Sequence, residues 1–252
     1  WSSDVCSSDL FAACALDPRW TVVDPFNDGA SATIVNAYTD SARVAIYVPG
    51  GFDHEIWNGV LGAAHILQPA YDRQQFTVEA KFDSRVPANF GQEGIIVKQD
   101  DAHWVRAEFF RDDFNNLRVA VDRGPAQITH DIYLPATVTE PLYMRLTRDG
   151  SNWTHTWSED GVNWTQAGPT FPYTMTVNEV GLFAGNRGLV PPAHTVEVDY
   201  FHNGAGAPAA EDSLRNRLEV TVAGGGLVQR TLDKVDYLCG DLETLTAVDQ
   251  PG

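Results

Sequence analysis

Bases are scarce in this chain of 252 residues. Only 17 Lys and Arg stand against 34 Asp and Glu, for a net charge of −17. Nucleic acid and anionic lipid are held by an excess of Lys and Arg, so the deficit argues against either as a main partner. No stretch is long and apolar enough to cross a bilayer as a helix. Neither a G-X-Y repeat nor a heptad repeat is present, which excludes collagen and coiled coil. Cysteine is limited to three residues, and because Cys14 and Cys239 fall in different candidate domains no bridge between them is assumed. There is no G-x-S-x-G, and Gly224-Gly-Gly226 is a turn with no GK[ST] after it, so neither a nucleophile elbow nor a phosphate cradle is expected. Hydrophobic residues, at 43%, and aromatic ones, at 11%, supply one good core and exclude disorder throughout.

The apolar residues fall with period two. Val44-Ala-Ile46-Tyr-Val48, Phe76-Thr-Val78-Glu-Ala80-Lys-Phe82, Leu117-Arg-Val119-Ala-Val121, Leu142-Tyr-Met144-Arg-Leu146 and Val196-Glu-Val198-Asp-Tyr200 each alternate. Such alternation puts one strand face in a core and the other in water. Pro49-Gly50-Gly51, Arg148-Asp149-Gly150, Glu159-Asp160-Gly161 and Gly185-Asn-Arg-Gly188 punctuate the runs as turns. No window carries the i, i+3, i+4 spacing of an amphipathic helix. The expected fold is all-β, an antiparallel two-sheet sandwich.

The chain divides unevenly. Residues 11–203 make up the sandwich, 204–216 form a small-residue linker, and 217–252 restart strand alternation as the opening of a second, partial small β domain. The first ten residues, WSSDVCSSDL, resemble the translation of a widely used sequencing adapter and are set aside as an artefact. Phe11-Ala-Ala-Cys14-Ala15 reads either as the tail of a signal peptide or as a chance small-residue stretch.

Two segments carry a family likeness. Arg145-Leu-Thr-Arg148-Asp-Gly150 with Thr156-Trp157-Ser158-Glu-Asp160-Gly161-Val-Asn-Trp164 resembles a hairpin of concanavalin-A-like sandwiches, a jelly-roll group that includes laminin-G-like domains and β-xylosidase accessory domains. Asp53-His-Glu-Ile-Trp57, Gln92-Glu-Gly94-Ile-Ile-Val97, Asp101-Ala-His-Trp104-Val-Arg106 and Val196-Glu-Val198-Asp199-Tyr-Phe201 follow in the order that group requires. Residues from Leu218 to Val228 and from Tyr237 to Ala247 are similar to the first half of a bacterial cell-surface repeat. The resemblance implies a secreted or surface-held multimodular bacterial protein. Because this sandwich hosts lectins, hydrolases and spacers alike, it implies no single activity.

Three groups of residues invite chemistry. Glu197 and Asp199 share a strand face, as paired carboxylates of glycoside hydrolases do. Phe201 and His202 occupy the places where a further acid would complete such a set, so the expectation there is an outward acidic face and no catalytic residue. The second group is an expected platform of Trp104, Arg106, Glu108, Arg118, Tyr143, Arg145 and Trp157, with Trp153 on the same side of its own strand. If their strands adjoin in one sheet, these side chains form an aromatic face studded with Arg and Glu. A sugar can stack on such a ring and give its hydroxyls to the polar groups. The bland alternative is that Trp and Arg cover the sheet and stack on each other. The third group, Asp53, His54, Glu55 and Trp57 with His65, lacks zinc-ligand spacing, and no metal site is assigned. A structural calcium stays open, with Asp24, Asn27, Asp28 and Asp199 as eligible oxygen donors but no EF-hand spacing.

The preferred expectation is a non-catalytic carbohydrate-binding or adhesion module, with a polysaccharide or glycan as partner alongside other domains of the same chain. A glycoside hydrolase or polysaccharide lyase, and a passive spacer, are the alternatives. No cofactor is expected beyond that calcium.

Overall fold

The structure is a computed structural model, and it describes residues 7–9, 11–39, 41–57, 60–87, 90–125, 127–204, 220–222, 226–231 and 243–248. In chain order the strands are β1 (Ser7–Asp9), β2 (Thr21–Val23), β3 (Ser31–Val35), β4 (Arg43–Val48), β5 (Ile56–Trp57), β6 (Val60–Leu61) and β7 (Ala64–Pro69). They continue with β8 (Gln75–Phe82), β9 (Gln92–Lys98), β10 (Trp104–Arg111), β11 (Leu117–Arg123), β12 (Gln127–Tyr133), β13 (Leu142–Asp149) and β14 (Asn152–Ser158). The last are β15 (Thr165–Gln166), β16 (Phe171–Pro172), β17 (Glu179–Gly185), β18 (His194–Gly204), β19 (Leu227–Arg230) and β20 (Leu245–Val248). No helix occurs among the described residues, so none there is long and apolar enough to cross a membrane.

Two antiparallel sheets face each other. The first runs β15-β14-β13-β8-β18-β4-β3, with β1 added to β18 and β16 to β14. The second runs β12-β11-β10-β9-β17-β7-β2. This is the all-β, concanavalin-like sandwich expected from the alternation.

Strand β13 shows how the sequence dictates its layer. Leu142, Met144 and Leu146 are buried between the sheets, while Tyr143, Arg145 and Thr147 face outward, half-buried. Arg148, in phase with the buried three, also points inward although it is charged. Its guanidinium is satisfied there, donating to Asp72 Oδ1 at 2.7 Å, Gly150 O at 2.8 Å and Met175 O at 2.9 Å. Gly150 and Gly161 take φ of 61° and 69°, the left-handed conformation expected of the two Asp-Gly turns.

The alternation misleads at the centre of the second sheet. Strands β9, β10 and β17 are buried along almost their whole length, on both faces. Their inner side chains join the main core with Phe82, Leu146 and Phe201. On the outer face Ile96, Trp104 and Phe183 form a second apolar cluster with Ile56, Ala63 and Leu67.

Of the outlying segments, β1 pairs with β18, Ser7 opposite Asn203, and β19 pairs with β20. Residues 1–6, most of the expected linker and most of the expected second domain lie outside the described residues. Cys14 is disulfide-bonded.

Candidate functional site

The second apolar cluster covers only part of the outer face of the second sheet. What holds its edge is a pair of pinned loops. His54 is fully buried; its Nε2 lies 2.8 Å from Asp28 Oδ2 and its Nδ1 lies 2.9 Å from Phe52 O and 3.1 Å from Asn186 Oδ1. Asn186 in turn donates to Pro49 O at 2.7 Å and Pro192 O at 2.8 Å. Asp53 accepts from the Gly188 amide at 2.9 Å. These bonds fix Glu55 and Arg187, which meet at 3.4 Å, as one wall beside the sheet.

Beyond that wall a recess of about 270 Å³ opens over β9, β10 and β11. Register builds its floor. Arg106 lies opposite Asp122, Glu108 opposite Ala120 and Gly94, and Gln92 opposite Phe110. Gln92, Glu108 and Asp122 therefore run diagonally across three neighbouring strands, all on the outer face. Gly94 leaves room beside Glu108, since a Cβ there would come within 2.7 Å of the Phe183 ring.

The floor is charged and buried. Arg106 Nε and Nη2 donate to Asp122 Oδ2 at 3.0 and 2.6 Å, and Nη2 is 3.3 Å from Glu108 Oε1. Arg106, Glu108, Asp122 and Gln92 are each 3–4% exposed. Four of their polar atoms, Arg106 Nη1, Glu108 Oε2, Asp122 Oδ1 and Gln92 Oε1, have no hydrogen-bond partner among the described residues. Burial raises the Glu108 and Asp122 carboxyls above their usual range, against the pull of Arg106. Burial likewise raises Glu55. A buried polar group left unpaired is costly, so a cluster of four marks a place built to receive complementary donors and acceptors.

The far wall is aromatic. Arg118 lies 4.1 Å from the Tyr133 ring centroid and 5.5 Å from that of Phe110, and it pairs with Asp131 at 2.7 Å and Asp112 at 3.5 Å. Phe90 and Phe110 are half-buried at the rim.

The platform expected from sequence is divided by this geometry. Arg106, Glu108 and Arg118 come together in the recess. Trp104 stands on the same face but is fully buried in the second apolar cluster, so it offers no open ring. Tyr143 and Arg145 belong to the other sheet, on its opposite outer face. There Arg145 donates to Glu79 at 2.7 Å, lies 3.8 Å from the Trp164 ring centroid, and Tyr200 donates to the same Glu79 at 2.6 Å. That face has the mutually packed form of the bland alternative. Trp157 pairs with Met144 and packs on the main core, on the side away from Arg145. Trp153 is fully buried there too. In β14 the Trp-x-His-x-Trp spacing is the core face.

Glu197 and Asp199 are ion-paired in the first sheet, Asp199 with Lys81 at 2.6 Å and Glu197 with Arg43 at 4.0 Å. The oxygen donors eligible for calcium are dispersed: Asp28 is taken by His54, Asp199 by Lys81, and Asp24 Oδ2 accepts from Gly29 N at 2.9 Å. No three metal-ligating side chains gather among the described residues. The residues that sequence reasoning missed are Gln92, Asp122, Phe110 and Asp131. Asp122 was within reach, because Arg118, Ala120 and Asp122 follow one another at period two. Gln92 gave no signal without the register.

A family model described as a protein of unknown function, DUF1349, matches residues 52–186, which hold His54, Glu55 and the whole recess floor and end at Asn186. The chain belongs to the DUF1349 family. No curated protein matches it. Among solved structures, this DUF1349 chain is similar to the GH43 protein BlXynB of Bacillus licheniformis, with TM-score 0.58, 15% identity, and coverage of 81% of this chain and 40% of that one. It thus spans well under half the length of that protein. It is also similar to a functionally unknown protein from Saccharomyces cerevisiae (TM-score 0.54, 14% identity, 75% of this chain and 98% of that one). A third is the CBM2 module of an evolved Dit of Lactobacillus casei BL23 phage J-1 (TM-score 0.51, 9% identity, 79% and 94%). At these identities the likeness establishes the fold.

Proposed function

We propose that this DUF1349 chain is a non-catalytic carbohydrate-binding module of a secreted or surface-held multimodular protein, and that it takes one sugar residue of a glycan in the recess over β9–β11. The observation that carries this reading is the set of four buried, unpartnered polar atoms around Arg106. Arg106 Nη1 can donate to a sugar oxygen, and the three acceptors can take hydroxyl protons. The half-buried Phe110 and Phe90 offer rings against which a C–H face can lie. A volume of about 270 Å³ suits a single ring better than a chain. The similarity to a structure described as a CBM2 module supports the same reading at the level of fold.

The placement of Arg106 favours binding over hydrolysis. Its Nη2 reaches both Glu108 and Asp122, so the two acids spend their charge on the cation between them. A glycosidase needs the second carboxylate free to act on the sugar. By concentrating linked domains at a polysaccharide, a weak module of this kind raises their effective concentration.

The test is a glycan array probed with the full chain and with Phe110→Ala. Binding by the parent chain that the variant reduces by about tenfold supports the reading, a size typical of losing one aromatic contact. No glycan bound at high protein concentration would leave a spacer.

A further inference from the structure

The recess is poor in positive charge and rich in unpaired acceptors. Six carboxylates and three guanidiniums line it. Each guanidinium is engaged: Arg187 by Glu55, Arg118 by Asp131 and Asp112, Arg106 by Asp122 and Glu108. Three carboxyl groups therefore exceed the cations available to them, and because burial raises Glu55, Glu108 and Asp122, these ionise only with a cation set beside them. The unpartnered atoms are skewed in the same direction, with three acceptors (Gln92 Oε1, Glu108 Oε2, Asp122 Oδ1) against one donor (Arg106 Nη1). All four belong to side chains more than nine-tenths buried that line the recess.

A neutral sugar hydroxyl brings one proton and two lone pairs, so it fills an acceptor-rich floor poorly. A primary ammonium brings three N–H donors and no acceptor. It also supplies a positive charge where the lining lacks one, and hydrogen bonds between charged groups are about twice as strong as neutral ones. An anionic sugar, a uronate or a sulfated residue, would set a negative charge against the excess acids in a site shielded from water.

We propose that the recess selects an amino sugar with a free ammonium group, a deacetylated hexosamine of an amino-polysaccharide. Its ammonium is received by Glu108 and Asp122, while Arg106 Nη1 donates to a neighbouring hydroxyl oxygen. This rests on the carbohydrate-binding reading and narrows it. Acetylation of the amine would remove both the charge and two of the three donors.

Calorimetric titration of the full chain at pH 6 with a glucosamine tetramer, its N-acetylated counterpart, a neutral glucose tetramer and a uronic acid tetramer tests it. Spermidine serves as an amine without a sugar. The glucosamine tetramer is expected to bind at least about tenfold more tightly than the other sugars and than spermidine, the size of one charged hydrogen bond gained. Glu108→Gln, close to isosteric, is expected to erase most of that preference. Equal or tighter binding of the neutral, N-acetylated or uronic tetramer would overturn the ammonium assignment and leave carbohydrate binding standing. Spermidine bound as tightly as the glucosamine tetramer would overturn the sugar itself. Failure of all four sugars to bind would overturn both readings. The ligand series uses the parent chain, so it decides the matter even if the variant misfolds.

Discussion

Arg106 faces Asp122 across the β10–β11 register and donates to its Oδ2 through two nitrogens, at 3.0 and 2.6 Å, while the same Nη2 stands 3.3 Å from Glu108. One cation thus holds two buried acids. Removing it leaves both uncompensated. Arg106→Met is expected to cost about 3–5 kcal/mol at neutral pH, the usual penalty for breaking a buried pair from one side. The loss should shrink in acid, where the two carboxyls become neutral. Urea unfolding at pH 7 and pH 4 measures both; a loss under about 1 kcal/mol at pH 7 would show that the pair is not the keystone of the floor.

His130 and His155 lie 5.7 Å apart between the sheets, and none of their four ring nitrogens has a partner among the described residues. Burial lowers both, His155 to about 3. In the unfolded chain each imidazole titrates near its ordinary value of 6.5. Below that value the unfolded state takes up protons that the folded state refuses. Their contribution to stability is therefore whole above about pH 6.5 and drains as pH falls toward 3. The slope for one such group is at most about 1.4 kcal/mol per pH unit. His155→Phe should make the acid-side fall of Tm between pH 6.5 and 4 shallower. An unchanged profile would mean that His155 is not the buried neutral group described.

Glu93 carries the opposite sign. It is enclosed in the main core with Ser84 donating to Oε2 at 2.7 Å, and burial raises its carboxyl to about 8. The folded state keeps a proton that the unfolded chain releases near 4.5. Its contribution is present below about pH 4.5 and is lost as pH rises toward 8. Glu93→Gln should gain stability relative to the parent chain on going from pH 5 to pH 8, read by chemical denaturation at both values. A constant difference would contradict the assignment.

Trp104 and Trp157 should report on packing rather than on ligand. Trp104→Ala is expected to cost about 3–5 kcal/mol, since it empties the centre of the outer apolar cluster. Trp157→Ala should lower Tm while leaving the affinity for any bound sugar within about twofold, because the indole lies on the core side of β14, in the other sheet from the recess. A tenfold loss of affinity in Trp157→Ala would move the site to the first sheet.

The layers of this fold are written in the period of its apolar residues. Leu142, Met144 and Leu146 could be placed inward, and the Asp149-Gly150 and Asp160-Gly161 turns located, because both follow from side-chain alternation and backbone sterics within a few residues. The division of the site was not legible. Arg118 and Tyr143 follow closely in sequence, yet β11 and β13 belong to opposite sheets, and nothing in either strand's alternation records which sheet it joins. Trp104 was misjudged for a related reason. Alternation marks it as outward, which it is, but the cover provided by Ile56, Ala63 and Leu67 comes from a segment, β5 to β7, far from it in sequence. Gln92 and Asp122 meet Glu108 only through register, a long-range property.

Carbohydrate recognition by the β9–β11 recess is tested most directly by a two-dimensional amide NMR titration of the full chain with its tightest-binding glycan. The expected shifts centre on Gln92, Arg106, Glu108, Phe110 and Asp122. Shifts centred instead on Tyr143, Arg145 and Trp164, or no shift anywhere, would contradict it.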